Sequence, residues 1–218
     1  MRTFAVLPVK RFGAAKQRLS DGLAAGARET LAEAMVRDVL AALERVGGLE
    51  GIVVVTNEPR AAEPAREAGF EVIADTAEAG QSPAAAAGIA RARELGATRV
   101  LLVPGDCPAL DAGEVAALLA GAVTGPSVTV VPDRHGTGTN ALLLTPPDAI
   151  APAFGEGSFA RHTAAAKSAG ARLTVRRPPS LLLDVDTAAD LTALRAGVTA
   201  GRHTAVALEC IAGEAPAA

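Results

Sequence analysis

Short runs of β-branched and Leu residues alternate along this chain with longer runs whose apolar residues recur every three or four positions. That pattern predicts strands joined by crossover helices in a mostly parallel sheet. The first strand is expected over residues 3–9 and the first helix over 28–46, where Leu31, Met35, Val39, Leu43 and Val46 share one face before Gly47-Gly48 ends it. A buried strand over 51–56, a helix over 59–68 and a short strand over 70–74 complete a βαβαβ opening. Gln81-Ser82-Pro83 opens an Ala-rich helix to about residue 95, and the strand over 99–103 stops at Pro104-Gly105-Asp106. A helix over 111–123 and a strand over 127–131 lead into the glycine-rich loop Asp133 to Asn140, followed by a strand over 141–144. A helix from Ser158, strands over 172–175 and 181–183, and a final helix from Thr187 close the pattern. Thr187 and Asp190 have capping-box spacing, with Asp in place of the usual Glu or Gln. Periodicity fades after Gly201, so residues 1–200 are expected to form the domain and 201–218 a weakly structured tail.

Composition narrows the function. The 218 residues carry 21 Lys+Arg against 24 Asp+Glu, a net charge of −3, and five Phe as the entire aromatic set. A nucleic-acid binder normally shows a basic face and stacking aromatics, so nucleic acid is not an expected partner. No apolar run reaches the roughly eighteen residues of a membrane span, and the chain passes from Met1-Arg2 into a strand without a signal-peptide core. A cytoplasmic location with no membrane partner is the expectation. Cys107 and Cys210 fit neither a disulfide framework nor a metal knuckle.

Three features converge on strand ends, where open α/β sheets bind ligands. Asp106 follows one strand, and Asp184-Val185-Asp186 follows another. In extended geometry Asp184 and Asp186 point to one face, and a sparse carboxylate set suits Mg²⁺ when phosphates complete its shell. A plainer reading puts Asp186 at the fringe of the last helix and Asp184 in solvent. Lys10, Arg11, Lys16 and Arg18 crowd the loop after the first strand, where a polyphosphate needs positive charge, unless the loop is merely solvated. Neither a Walker sequence nor GxGxxG follows that strand, which disfavours a P-loop kinase and a dinucleotide dehydrogenase. GTGTN at 136–140 and FGEGSF at 154–159 supply hydroxyls, amides and a helix N-terminus, with Ser158 placed as anion contact or as N-cap. His162 lies one turn on, on the same face as Ser158, for anion contact or for packing and orientation. The three histidines are too scattered for zinc. No GxSxG elbow supports a serine hydrolase.

LPVKRFGAAKQRLS, VPGDCPAL, GTGTNALLL, FGEGSFARH and LLLDVDTAADL, taken in order over residues 3–194, resemble the CofC/FbiD family of coenzyme F-420 biosynthesis. The resemblance implies a single-domain α/β fold of the GT-A nucleotidyltransferase type, with a mixed, mostly parallel sheet flanked by helices. It also implies transfer of GMP from GTP to phosphoenolpyruvate, releasing pyrophosphate. 2-Phospho-L-lactate is the alternative acceptor, and another GT-A-type nucleotidyltransferase or glycosyltransferase the alternative enzyme. Carried over motif by motif, Asp106, Asp184 and Asp186 are the Mg²⁺ ligands, and Lys10 and Lys16 the triphosphate contacts, so that Lys10, Lys16 and Asp106 are the expected catalytic set. Thr139 or its neighbour Asn140, with Gly155 and Ser158, is expected to bind the phosphorylated three-carbon acid. Gln81-Ser82-Pro83 lies where related folds contact the base, which is analogy of fold alone. A homodimer and a hand-off of product to the next transferase of the pathway are further expectations. A nucleotide-binding module without catalysis would be signalled by loss of the three carboxylates, and all three are present.

Overall fold

A computed structural model describes residues 1–14, 16–20, 22–76, 78–121, 124–197 and 200–213. Its strands are β1 (Thr3–Val9), β2 (Gly51–Thr56), β3 (Glu71–Ile73), β4 (Arg99–Leu102), β5 (Ser127–Pro132), β6 (Thr139–Thr145) and β7 (Arg172–Val175). They form one seven-stranded sheet in the order β3-β2-β1-β4-β6-β5-β7, in which β6 alone runs against the rest. The expected mixed, mostly parallel sheet is therefore present.

Alternation along β1 divides the core between two faces. Ala5, Leu7 and Val9 point to helices α1 (Ala25–Glu44), α2 (Pro59–Glu67) and α4 (Ala112–Leu119), while Phe4 and Val6 point to α3 (Gln81–Glu94) and α5 (Ser158–Ser168). The central strands are buried on both faces and accordingly read as continuous apolar runs. Gly88 lets α3 lie directly on β1, since a Cβ there would stand 2.3 Å from Val6 Cγ1. The expected last two residues of the fourth helix, 122 and 123, lie outside the described residues.

Two expectations are corrected. Leu181 to Leu183 do not form a strand: Pro179–Leu181 is a 3₁₀ turn, and the chain runs on irregularly to helix α6 (Ala188–Gly197). Pro178 and Pro179 have no N–H to give a sheet ladder, and the Leu181 carbonyl is taken instead by Asn140 Nδ2 at 2.8 Å. The segment after Gly201 is not weakly structured up to residue 213. It forms helix α7 (Arg202–Gly213), packed on α1. Asp38, buried on α1, accepts the N–H groups of His203 at 3.0 Å and Thr204 at 2.8 Å, capping α7 from another element. Residues 214–218 lie outside the described set. No described helix is long and apolar enough to cross a membrane.

Candidate active site

The loop after β1 folds inward because its large apolar side chains, Phe12 and Leu19, are buried, and because the Phe12 N–H donates to Glu58 Oε2 at 2.9 Å. Between two 3₁₀ turns, Phe12–Ala14 and Gln17–Leu19, Lys16 adopts the left-handed backbone with φ 56°. A non-glycine residue rarely does so without a compensating contact. The contact is a pair of carboxylates: Lys16 Nζ donates to Asp106 Oδ2 at 2.7 Å and to Asp186 Oδ1 at 2.8 Å. The Lys16 side chain is only 7% exposed, against 27% for Asp106 and 42% for Asp186. Burial alone would lower the Lys16 pKa, but the two carboxylates outweigh it and hold the ammonium charged well above the ordinary lysine range. Lys10, Lys16, Asp106 and Asp186 line a cavity of about 230 Å³ with Gly80 and Gln81 of the α3 N-terminus.

Both acidic loops are fixed by backbone contacts. Asp106 ends the β4 turn, and its carbonyl accepts the Val185 N–H at 3.0 Å, stitching the two loops together. Asp190 Oδ2 accepts the N–H groups of Asp186 at 3.2 Å and Thr187 at 2.8 Å, so the expected capping box also orients Asp186. Arg134 in turn holds Asp190 at 2.6 Å. Asp184 stands apart, receiving Asn140 Nδ2 at 3.3 Å. Burial first, and then the Asp106 charge, push its pKa up to about 6. No three-residue His, Cys, Asp or Glu cluster suited to a metal is preformed among the described residues. The physical reason is that Lys16 takes the centre between Asp106 and Asp186 while Asn140 holds Asp184. Asp106 Oδ1 is nevertheless buried without a hydrogen-bond partner. An orphaned carboxylate oxygen there fits a hard cation, which takes oxygen ligands and completes its shell from phosphates.

A second group of residues lies beyond this cavity. Gly157 (φ 68°) caps α5, which makes Ser158 the first helical residue rather than the N-cap. Ser158 is buried, and its N–H donates to the Gly155 carbonyl at 3.0 Å, closing a turn that needs Gly155 at φ 105°. Thr139 opens β6, with its hydroxyl 3.0 Å from His162 Nδ1. His162 Nε2 accepts the Ala153 N–H at 2.8 Å. Burial first, and then the Arg161 charge, hold the imidazole pKa down at about 4. Two contacts tie this group to residues that neighbour the cavity lining in sequence or charge: the Phe154 N–H donates to Ser82 Oγ at 2.8 Å, beside Gln81, and Asn140 reaches Asp184.

The family profile described as "Guanylyl transferase CofC like" matches residues 3–204. The chain belongs to that family. It is 53% identical over 198 residues to the phosphoenolpyruvate guanylyltransferase of Conexibacter woesei, covering 89% of this chain and 88% of the relative. It is 40% identical over 194 residues to the protein of the same name from Sphaerobacter thermophilus, covering 89% and 93%. Among solved structures, a Desulfovibrio desulfuricans protein named as a nucleotide-diphospho-sugar transferase superposes with a TM-score of 0.74 at 17% identity, over 97% of this chain and 96% of that one. That likeness concerns the fold.

In this CofC-like guanylyltransferase, Lys10, Lys16, Asp106 and Asp186 meet at one cavity, and Asp184 does not line it. Thr139, Asn140, Gly155 and Ser158 form the neighbouring group, linked to the first through Asp184 and Ser82. Sequence reasoning missed the Lys16 bridge, which depends on an unusual backbone conformation with no residue signature. It also missed Arg134 and Asp190 as supports of Asp186. For Asp190 the capping-box spacing was a usable signal, since a side chain that caps Thr187 also reaches the preceding N–H.

Proposed function

We propose that this guanylyltransferase transfers GMP from GTP to phosphoenolpyruvate, releasing pyrophosphate, as a step of coenzyme F-420 biosynthesis in the cytoplasm. The observation that carries the proposal is a charged cavity with a second group of residues beside it. In the cavity, at the ends of β1 and β4, two lysines and two carboxylates face one another. In the second group, a threonine, a serine and two glycines of positive φ gather at the N-terminus of α5, with the Arg161 guanidinium alongside. The first suits a triphosphate and the second a small acid. The names of the relatives at 53% and 40% identity support phosphoenolpyruvate as that acid.

A phosphate oxygen of the acceptor attacks the α-phosphorus of GTP in line. The bond to the β-phosphate oxygen breaks, and pyrophosphate leaves with the electron pair. Because a phosphate monoester is already largely ionised at pH 7, no protein base is required. Lys10 and Lys16 stabilise the charge that collects on the leaving pyrophosphate. Thr139, Asn140, Gly155 and Ser158 hold the acceptor in register, and this positioning supplies the rest of the rate. Mg²⁺ is the proposed metal, with Asp106 and Asp186 as ligands and Asp184 beside them. The chemistry it supplies there when bound is neutralisation of phosphate charge.

The reading is tested by incubating GTP and Mg²⁺ with phosphoenolpyruvate in one tube and 2-phospho-L-lactate in another, following pyrophosphate and weighing the products. A guanylylated phosphoenolpyruvate is expected. Turnover with 2-phospho-L-lactate alone reassigns the acceptor. Silence in both, with GTP still bound, contradicts the proposal.

A further inference from the structure

His162 has no step in the transfer just described, yet it is fully buried between the two segments assigned to the acceptor. Its Nε2 accepts the Ala153 N–H, so that nitrogen carries a lone pair, and in a neutral ring the proton sits on Nδ1. Nδ1–H therefore donates to Thr139 Oγ1 at 3.0 Å. Thr139 Oγ1 makes no other hydrogen bond among the described residues. A hydroxyl that has accepted one bond keeps its own proton for another acceptor, so this one is left as a donor.

The same helical turn secures the loop over 153–156. Arg161 donates to the Ala153 carbonyl from Nε at 3.1 Å and Nη2 at 3.0 Å, to the Phe154 carbonyl at 3.2 Å, and to the Glu156 carbonyl. The His162 ring meets Phe154 edge-on, with centroids 5.1 Å apart. The strand entrance at Thr139 and the loop over 153–156 are thus referred to one imidazole.

We infer that His162 is a positioning residue: it commits the Thr139 hydroxyl to donate toward the acceptor's anionic group and sets the loop bearing Gly155 against it. The inference rests on the acceptor site proposed above. A threonine with a free rotor would offer lone pair and proton alike, and an anion accepts only the proton. A neutral histidine with one nitrogen already spent as an acceptor removes that choice.

The test is a double-mutant cycle between His162→Phe, which keeps a ring and removes both nitrogens, and Thr139→Val, read as separate KM values for phosphoenolpyruvate and GTP. Each single variant is expected to raise the phosphoenolpyruvate KM about ten-fold, the scale of one lost hydrogen bond to a charged group, with little change for GTP. The double variant is expected to be no worse than Thr139→Val alone. His162→Gln, whose amide can donate to one partner and accept from the other, is expected to recover most of the loss. Additive losses, equal movement of both KM values, or a Gln variant as poor as the Phe variant overturn the role and leave His162 as packing. A long-range proton–nitrogen NMR spectrum of the wild-type chain is expected to show the Nδ1–H tautomer, and Nε2–H overturns the role whether or not a variant folds. Absence of transfer by the wild-type chain overturns the acceptor reading and the role with it. Transfer accompanied by additive losses overturns the role alone.

Discussion

The two halves of the site are organised by opposite electrostatics. Around Lys16, two carboxylates and an ammonium share a small volume, and geometry is set by charge against charge: two short ion pairs and an orphaned oxygen on Asp106, with a third carboxylate, Asp184, set apart and its pKa pushed up to about 6. Around His162 the titratable group is kept neutral, with its pKa near 4, and geometry is set by directional hydrogen bonds to Thr139 and Ala153. Charge suits a polyphosphate whose own charge changes during transfer. Fixed hydrogen-bond donors suit a small acid that must be held in one pose. On the proposed assignment, the difference teaches that the protein would serve two substrates with an ionic cavity and a hydrogen-bonded group beside it.

The comparison is broken most severely at Asp106. Asp106→Asn is expected to lower turnover about a thousand-fold or more, in the range seen when an interaction with transition-state charge is removed, while circular dichroism shows an intact fold. Full activity with Mg²⁺ in that variant, or in Asp186→Asn, sinks the metal assignment. The next effect belongs to Lys16. Lys16→Met leaves Asp106 and Asp186 facing each other, and urea unfolding is expected to show a loss of about 1–3 kcal/mol, less than for a fully buried pair because Asp186 is 42% exposed. Millimolar Mg²⁺ is expected to restore stability more in the variant than in the wild type.

Acid titration sharpens the contrast. His162 has a folded pKa of about 4, below its ordinary 6.5, so the unfolded chain takes the proton first. Its contribution to stability is full above pH 6.5 and drains away down to pH 4. Asp184 has a folded pKa of about 6, above its ordinary 3.8, so the folded chain takes the proton first and gains stability as pH falls through that window. Each effect is about 3 kcal/mol, and they oppose. Relative to the wild type, His162→Gln is expected to become more stable on going from pH 6.5 to 4 and Asp184→Asn less stable, both read from urea midpoints. Parallel shifts in the two variants contradict the neutral-against-ionic division. The smallest effect lies outside both halves: Asp38→Ala removes the cap of α7 and is expected to cost about 1 kcal/mol, with turnover unchanged.

Much of the fold was legible because the two periodicities rarely compete. Runs such as Ile52-Val53-Val54-Val55 are too short and too β-branched for a helix, and the spacing from Leu31 to Leu43 suits nothing else. Leu181-Leu182-Leu183 misled because an apolar triplet has no period, and the two prolines before it decided the outcome. Helix α7 was illegible because its anchor, Asp38, lies 165 positions from the His203 N–H it accepts. At the site, Asp106 after β4 and the cations after β1 could be read from residue type and place, whereas Asp184 and Asp186 follow an irregular segment and not the expected strand. The union of Asp106 with Asp186 through Lys16 could not be read, since it depends on one left-handed residue, and neither could the role of His162, since it depends on which ring nitrogen carries the proton.

The most direct measurement of the proposed division between the two groups is two-substrate kinetics on Lys10→Ala and Thr139→Val, with GTP and phosphoenolpyruvate each varied at saturation of the other. The account predicts that Lys10→Ala raises the KM for GTP and leaves that for phosphoenolpyruvate, and that Thr139→Val does the reverse. Both constants moving together in either variant, or the two variants exchanging effects, would contradict it.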